Sequence, residues 1–113
     1  MSDLIFIREK KVKVMVNSKN FSIKQVVDSD EIVSLGSKLK NALGMEEIAK
    51  RYLNSGCELI AVFQGSQIKY MLEVRDKTIV QFKGINNCEP SDEDSNEVKD
   101  CLIQAGLVHK ADF

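Results

Sequence analysis

Three consecutive antiparallel strands followed by a helix, over residues 58–102, form the sequence pattern that most constrains this fold. The first strand is apolar on both faces, which is typical of the centre of a sheet. The second alternates strictly, with Ile68, Tyr70 and Val74 among the apolar side chains that share one face. The predicted strands are 58–64, 67–75 and 78–83, separated by turns at Gly65-Ser66 and Asp76-Lys77.

Further elements are predicted on both sides of this unit. Ser91 is a good N-cap for the last helix, with Asp94 three residues later, and Gly106 lies at its end. The predicted class is α+β, with one antiparallel sheet and helices packed on one face, in a single domain over residues 1–113. The other predicted elements are a hairpin at 4–16, a strand at 21–27, a helix at 28–43, a short helix at 48–53 and a partly ordered tail at 107–113.

Composition narrows the classes of function. Charged residues make up 29% of the 113 residues and leave a net charge of −1, whereas a general nucleic-acid binder carries a clear positive excess. No apolar stretch approaches the ~20 residues that cross a bilayer, and no secretory signal is visible. An odd number of cysteines without such a signal favours a reducing cytoplasm over a disulfide framework.

The three cysteines and the single histidine form a candidate metal site. Three thiolates and an imidazole make a tetrahedral zinc shell, and metal-binding energy would hold the tail after Gly106 in place. The usual Cys-x-x-Cys spacing does not occur, so the alternative is that two of these cysteines are buried packing residues. The predicted ligands of a structural zinc are Cys57, Cys88, Cys101 and His109.

The sequence predicts that the protein is not an enzyme. It contains no Gly-x-Ser-x-Gly, no phosphate-binding loop and no His-Glu-x-x-His. His109 lies in a C-terminal tail, which is a poor platform for a rigid general base. Glu73 and Gln81 are expected to face each other across two strands, as a cross-strand polar pair rather than an acid–base pair. A small cysteine-dependent hydrolase or transferase is the catalytic alternative.

Acidic side chains are concentrated between residues 89 and 100, where Lys99 is the only basic residue. Carboxylates in the first helical turn stabilise the helix dipole, which is a sufficient structural role. The functional alternative is that this acidic stripe attracts a basic surface, such as the nucleic-acid-binding groove of another protein. The predicted partner-binding residues are Glu89, Asp92, Glu93, Asp94, Glu97 and Asp100.

Residues 70–90 read YMLEVRDKTIVQFKGINNCEP. This segment resembles the C-terminal region of PcfJ-like proteins, which are found on conjugative plasmids, phages and other mobile elements. The family has a strand ending in an acidic–aliphatic pair, an (I/V)VQ-x-(K/R)G-x-x-N strand and loop, and then a proline and a helix. Residues 37–63 have the family's upstream layout of helix, break, helix, glycine and strand. The matching positions are Glu73, Val80, Gln81, Lys83, Gly84, Asn87 and Pro90.

The resemblance covers about residues 30–103. It departs at Ala42-Leu43, where the family often has Cys followed by Val, so an activity that needs that cysteine is not implied. The family has no well-defined chemistry to transfer. The resemblance therefore implies an origin, namely a bacterial mobile element or prophage.

Together these features predict a small non-catalytic protein-binding protein of a phage or other mobile element, acting in the cytoplasm of a bacterial host. Such proteins commonly neutralise host machinery. The specific expectation is an anti-CRISPR protein that inhibits a CRISPR-Cas effector nuclease, without direct contact to nucleic acid or membrane. The alternatives are an accessory module of conjugative transfer or DNA processing and the cysteine-dependent enzyme.

Overall fold

The strands predicted within residues 58–83 form the centre and one edge of an antiparallel sheet. The structure is a computed structural model that describes residues 15–109. Its five strands follow the order of the chain, and each pairs with the next. The predicted α+β class is confirmed. The strands are β1 (Met15–Asn17), β2 (Ser22–Val26), β3 (Glu58–Gln64), β4 (Gln67–Arg75) and β5 (Thr78–Lys83). The helices are α1 (Ser29–Lys38), α2 (Glu46–Asn54) and α3 (Asp92–Gln104), with 3₁₀ turns at Ala42–Gly44 and Ile85–Asn87.

Most of the hairpin predicted for residues 4–16 lies outside the described residues. Its last two residues, Met15 and Val16, belong to β1, which pairs with β2 in antiparallel register. The strand predicted at 21–27 is confirmed as β2. It in turn pairs with β3, so β3 is the middle one of the five described strands, as its apolar character on both faces predicted.

Left-handed backbone conformations form both turns of the β3–β4–β5 meander. Gly65 has φ of 63°, and Asp76 and Lys77 have φ of 51° and 62°. Positive φ at both central residues, as at Asp76-Lys77, is the geometry of a type I′ turn, whereas in the Gly65-Ser66 turn only the first central residue has positive φ, as in a type II′ turn. The twist of both turn types matches that of the flanking strands. Leu72 consequently lies between Ile60 and Phe82 in the ladder.

Two hydrophobic cores cover the two faces of the sheet. Side chains that alternate along β3 divide between them, Ile60 in one and Leu59 in the other. The first, the α3-side core, buries Val98 and Leu102 of α3. The second, the α1/α2-side core, buries side chains of α1 and α2. The expectation that the helices pack on one face is therefore wrong. The α3-side core is Phe21, Ile23, Ile60, Val62, Tyr70, Leu72, Val74, Phe82, Val98, Leu102 and Val108. The α1/α2-side core is Val26, Ile32, Leu35, Leu39, Ala49, Cys57, Leu59, Ala61 and Met71.

A β-bulge breaks the strict alternation predicted for β4. Val62 pairs with Tyr70 but Phe63 pairs with Ile68, so Lys69 is an extra residue on β4. As a result Ile68 packs against the α1/α2-side core while Tyr70 lies in the α3-side core.

A second bulge lies in β5. Glu73 pairs with Gln81 and Val74 pairs with Ile79, which leaves Val80 as the extra residue. Val80 is 50% exposed. Because the pairing of Glu73 with Gln81 is preserved, the predicted cross-strand polar pair is confirmed.

The helix predicted over residues 28–43 ends early. α1 stops at Lys38, and Lys40 has φ of 57°, which reverses the chain direction. The Asn41 Oδ1 then accepts a hydrogen bond from the Leu43 backbone N at 2.9 Å. These contacts start the 3₁₀ turn Ala42–Gly44 instead of another turn of α-helix.

Gly36 lies where the 3₁₀ turn passes directly over α1. A Cβ at Gly36 would lie 2.5 Å from the Gly44 N and 2.5 Å from the Leu43 carbonyl carbon. Real Cβ atoms essentially never approach a heavy atom so closely, so this crossing requires glycine. The close approach places Leu43 over the face of the sheet that carries the α1/α2-side core.

The predicted helix α3 is confirmed, with Ser91 as its N-cap and the Ser91 Oγ accepting from the Asp94 N at 3.1 Å. After Gly106, with φ of 78°, the chain turns back towards the sheet. Val108 is buried in the α3-side core, and the His109 N donates to the Lys77 carbonyl O at 2.8 Å. Burial and this hydrogen bond hold the described part of the tail.

Candidate functional site

The four predicted zinc ligands lie in separate parts of the molecule. Cys57 is buried in the α1/α2-side core, where its Sγ donates to the Tyr52 carbonyl O at 3.2 Å. Cys101 packs against the α3-side core, so the sheet separates these two thiols. Cys88 and His109 are exposed. Among the described residues, no group of three or more His, Cys, Asp or Glu side chains could hold a metal ion.

The Cys101 thiol does not have the surroundings of a catalytic cysteine. Burial, and then the negative charge of Glu97, raises the pKa of Cys101. A nucleophilic cysteine needs a lowered pKa, because the thiolate is the reactive form. The environment of Cys101 therefore suits packing.

Glu97, one of the predicted partner-binding residues, joins α3 to the β1–β2 turn. Its carboxylate accepts hydrogen bonds from the Ser18 Oγ at 2.5 Å, the Asn20 N at 2.6 Å and the Asn20 Nδ2 at 2.7 Å. The hydrogen bond from Ser18, and then those from Asn20, lower the pKa of Glu97. This carboxylate is therefore occupied within the protein.

Replacing Glu97 with glutamine is expected to destabilise the fold by about 1–2 kcal/mol at neutral pH, because charge-assisted hydrogen bonds are lost. The folded-state pKa lies below the ordinary value of 4.5. The stabilisation is therefore fully present above that value and is lost as the pH falls through the folded-state pKa. Urea unfolding of both proteins at neutral and acidic pH should show a difference that shrinks in acid. Glu93→Gln, at an exposed position of the same helix, is the control, and a pH-independent difference would contradict the assignment.

Asp94 makes a second link between α3 and the sheet. The Tyr70 hydroxyl donates to its Oδ2 at 2.6 Å, and the Lys69 Nζ lies 3.3 Å from the same oxygen. Burial, and then the hydrogen bond to Asp94, raises the pKa of Tyr70 to about 12, while the hydrogen bond from Tyr70 lowers the pKa of Asp94. The bulge residue Lys69 of β4 thus contributes an ion pair to the contact between α3 and the sheet.

The rest of the acidic stripe is only partly available. Glu89 pairs with the Lys83 Nζ, so three of the six predicted partner-binding carboxylates are engaged within the chain. The other three, Asp92, Glu93 and Asp100, are exposed. Hydrogen bonds and ion pairs within the chain thus account for half of the stripe.

A groove on the other face of the sheet gathers the residues that carry the PcfJ-like resemblance. Five of those seven positions line it, and its volume is about 530 Å³. We name it the β4–β5 groove. Residues that pack against the α1/α2-side core supply its apolar part, and amide, carboxylate and ammonium groups supply its polar part. Its lining residues are Asn41, Leu43, Tyr52, Leu59, Met71, Leu72, Glu73, Val80, Gln81, Lys83 and Asn87.

Local backbone features place the rim of this groove. The Asn86 N donates to the carbonyl O of Leu39 at 2.8 Å, which fastens the 3₁₀ turn after β5 to the end of α1. Asn86 and Asn87 have φ of 54° and 62°, a conformation that asparagine tolerates better than most residues. The bulge in β5 places Val80 in the groove lining.

Glu73 is the buried charge of the site, with 7% of its surface exposed. Its Oε2 accepts a hydrogen bond from the Arg75 Nε at 2.6 Å. That hydrogen bond raises the pKa of Arg75. Burial, and then the charge of Glu73, raises the pKa of Tyr52. Buried carboxylates are costly unless paired, and Arg75 supplies that pair.

A second cavity adjoins the β4–β5 groove, and we name it the Arg51–Arg75 cleft. Its volume is about 420 Å³. Two residues, Tyr52 and Glu73, line both cavities. The cleft is lined by Ile48, Arg51, Tyr52, Ser55, Glu73 and Arg75.

The sequence pattern did not predict these two cavities. The usable signal was that the resemblance positions on β4 and β5 include polar side chains on one sheet face, with Glu73 opposite Gln81. Arg51 carried no such signal, because a basic residue in the last turn of a helix is expected for the helix dipole alone.

Comparisons with protein-family models, with curated proteins and with solved structures produced no match for this chain. The resemblance to PcfJ-like proteins therefore stays a prediction based on the residues quoted above. Within the described residues, no helix has the length and apolar character that a membrane span requires.

Proposed function

We propose that this protein is a non-catalytic binding protein and that the β4–β5 groove holds a segment of its protein partner. The observation that carries the proposal is the convergence of Glu73, Gln81, Lys83 and Asn87 on one cavity, although they are spread over two strands and a loop. Within the described residues, no side-chain hydrogen bond engages Gln81 or Asn87, so both amides are open to a ligand.

The chemistry of the groove suits a polypeptide segment. The side-chain amides of Asn41, Gln81 and Asn87 each carry donors and an acceptor, as a peptide backbone does. Leu43 and the half-exposed Val80 offer apolar surface for the side chains of such a segment. A concave site with apolar surface and a few placed polar groups is the usual form of a binding pocket.

The proposed partner is a bacterial host protein, and the proposed role is inhibition of host defence by a phage or mobile-element protein. A CRISPR-Cas effector nuclease is the specific candidate. This part of the proposal is supported by the resemblance to PcfJ-like proteins, which implies a mobile-element origin. The same resemblance favours a second candidate, an accessory module of conjugative transfer or DNA processing, because its positions line the groove.

The double variant Gln81→Ala/Asn87→Gly tests the groove. Both residues are exposed, and glycine tolerates the positive φ at position 87, so the fold should be retained. Loss of the amide hydrogen bonds should weaken partner capture about tenfold or more. The measurement is quantitative capture of bacterial proteins from a lysate by wild type and variant, followed by titration of the identified partner. For the specific candidate, wild type in excess should block target cleavage by the purified nuclease.

The matched control is the double charge reversal Asp92→Lys/Glu93→Lys on the opposite face. It is expected to leave capture unchanged, because the groove and the outward part of the acidic stripe are on different faces of the sheet. If the charge reversal abolishes capture and the groove variant does not, the partner binds α3 and the groove proposal fails. Normal nuclease cleavage at excess protein would remove the specific candidate.

A further inference from the structure

The Arg51–Arg75 cleft has a different chemistry from the groove beside it, because two arginines line it. We propose that this cleft binds a carboxylate group carried by the partner segment that occupies the β4–β5 groove. The inference rests on the proposed function and adds to it the chemical identity of one anchoring group.

Arg75 is held in place before any ligand arrives. Its Nε donates to Glu73 at 2.6 Å, and its Nη2 and Nη1 lie 3.2 Å and 3.4 Å from the Ser55 Oγ and carbonyl O. The Glu73 bond is short, while the two contacts to Ser55 are at the weak end of the hydrogen-bond range. Glu73 thus positions the guanidinium, and the Nη edge can exchange its weak contacts for an incoming oxyanion.

Arg51 supplies the second guanidinium. It is exposed in the last turn of α2, and no hydrogen bond or ion pair within the described residues engages its side chain. Its neighbour Lys50 is different, because the Lys50 Nζ lies 3.7 Å from the Glu46 Oε2 on the outer surface of the helix. Helix-dipole stabilisation accounts for a positive charge at position 51, but a lysine would serve that role equally.

The charge of the cleft selects a monoanion. Arg51 and Arg75 contribute two positive charges and Glu73 one negative charge, which leaves a net charge of +1 in the lining. A carboxylate neutralises this charge. A phosphate group carries about −1.5 to −2 near neutral pH, which exceeds the charge of the lining, so the Glu73 carboxylate repels it more strongly than it repels a monoanion.

The two cavities are arranged for one ligand. Tyr52 and Glu73 form a boundary that both share, so a segment in the groove can extend directly into the cleft. The Ser55 hydroxyl already donates to the Tyr52 carbonyl O at 2.7 Å, so the guanidiniums are the donors that remain for a ligand in the cleft. An extended peptide with an acidic side chain or a free C-terminus matches this combination of an amide-lined groove and a cationic end.

Peptide titration of the full-length protein tests the carboxylate. The probes are a capped alanine peptide with a central glutamate, the same peptide with glutamine, an alanine peptide with a free C-terminus, and inorganic phosphate. Binding is followed by NMR through the arginine Nε–H signals. We expect the glutamate peptide to bind about tenfold more tightly than the glutamine peptide. The reason is that the hydrogen bonds between a carboxylate and a guanidinium are charge-assisted, whereas those of a glutamine amide are not. The free C-terminus arm separates a terminal from a side-chain carboxylate.

Three variants keep the test specific. Arg51→Gln should remove the preference for glutamate over glutamine, and Arg51→Lys should reduce it while keeping the helix charge. Lys50→Gln removes the same charge from the same helix outside the cleft and should have no effect. Equal binding of the two peptides, no binding of either, or tighter binding of phosphate would overturn the inference.

Failure here is distinguishable from failure of the proposed function. A partner that is lost by Gln81→Ala/Asn87→Gly but retained by Arg51→Gln leaves the binding function standing and rejects the carboxylate anchor. Capture of no partner by wild type rejects the proposed function, whereas the peptide titration still decides what the cleft binds.

Discussion

Replacing Gly36 with alanine is expected to lower the free energy of unfolding by about 3 kcal/mol or more. The added Cβ would lie 2.5 Å from backbone atoms of both Gly44 and Leu43. Backbone atoms cannot swing aside as the end of a flexible side chain can, so the 3₁₀ turn must separate from α1. Alanine is favoured over glycine in a helix by about 1 kcal/mol, which works in the opposite direction and is outweighed.

The Gly36 substitution should also weaken partner binding. Asn41 and Leu43 line the β4–β5 groove, and both would move when the turn is displaced. Chemical denaturation measures the stability, and the capture assay measures binding by the folded fraction. Ser34→Ala is the control, since Ser34 is exposed on the same helix and gains helix propensity without a clash. If Gly36→Ala is as stable as Ser34→Ala, then α1 and the turn do not meet as described.

The meander was predictable because its signals are local. Each of its strands has a run of suitable side chains, and each turn has two residues, so the register follows from short-range pairing. The N-cap Ser91 was identified for the same reason, because a capping side chain acts within three residues of itself.

Which faces of the sheet the helices cover does not follow from local patterns, but the sequence does carry a signal for it. A strand that is apolar on both faces, such as β3, needs cover on both faces. That signal argues for helices on opposite sides of the sheet, although local patterns do not say which helix covers which face. The bulges at Lys69 and Val80 had no visible signal, because one extra residue in a pair of strands depends on the partner strand.

The site was harder to predict because it is assembled from distant segments. The groove combines the turn after α1, the helix α2, two strands and the turn after β5, and the order of these along the chain does not reveal their convergence. The zinc prediction depended on the same kind of convergence for Cys57 and Cys101. The sheet lies between these two cysteines, and each packs with a different core.

Replacing Leu102 with alanine is expected to lower the free energy of unfolding by about 2–5 kcal/mol, because a cavity forms where a fully buried leucine was removed. Leu102 is 0% exposed and lies in the α3-side core with Val98 and Phe82. The substitution tests the two-sided architecture directly. If α3 did not cover this face of the sheet, Leu102 would be at the surface and its replacement would cost little.

Leu102→Ala should, in contrast to Gly36→Ala, leave binding by the folded fraction unchanged. The groove lies on the face of the α1/α2-side core, and the sheet stands between it and Leu102. Gln104→Ala, an exposed position in the last turn of α3, is the control for helix effects. Leu102→Ala should therefore lower stability without lowering binding only if the helices cover opposite faces of the sheet and the groove is the binding site. A loss of binding in folded Leu102→Ala would instead place the partner contact on α3, where the acidic stripe lies.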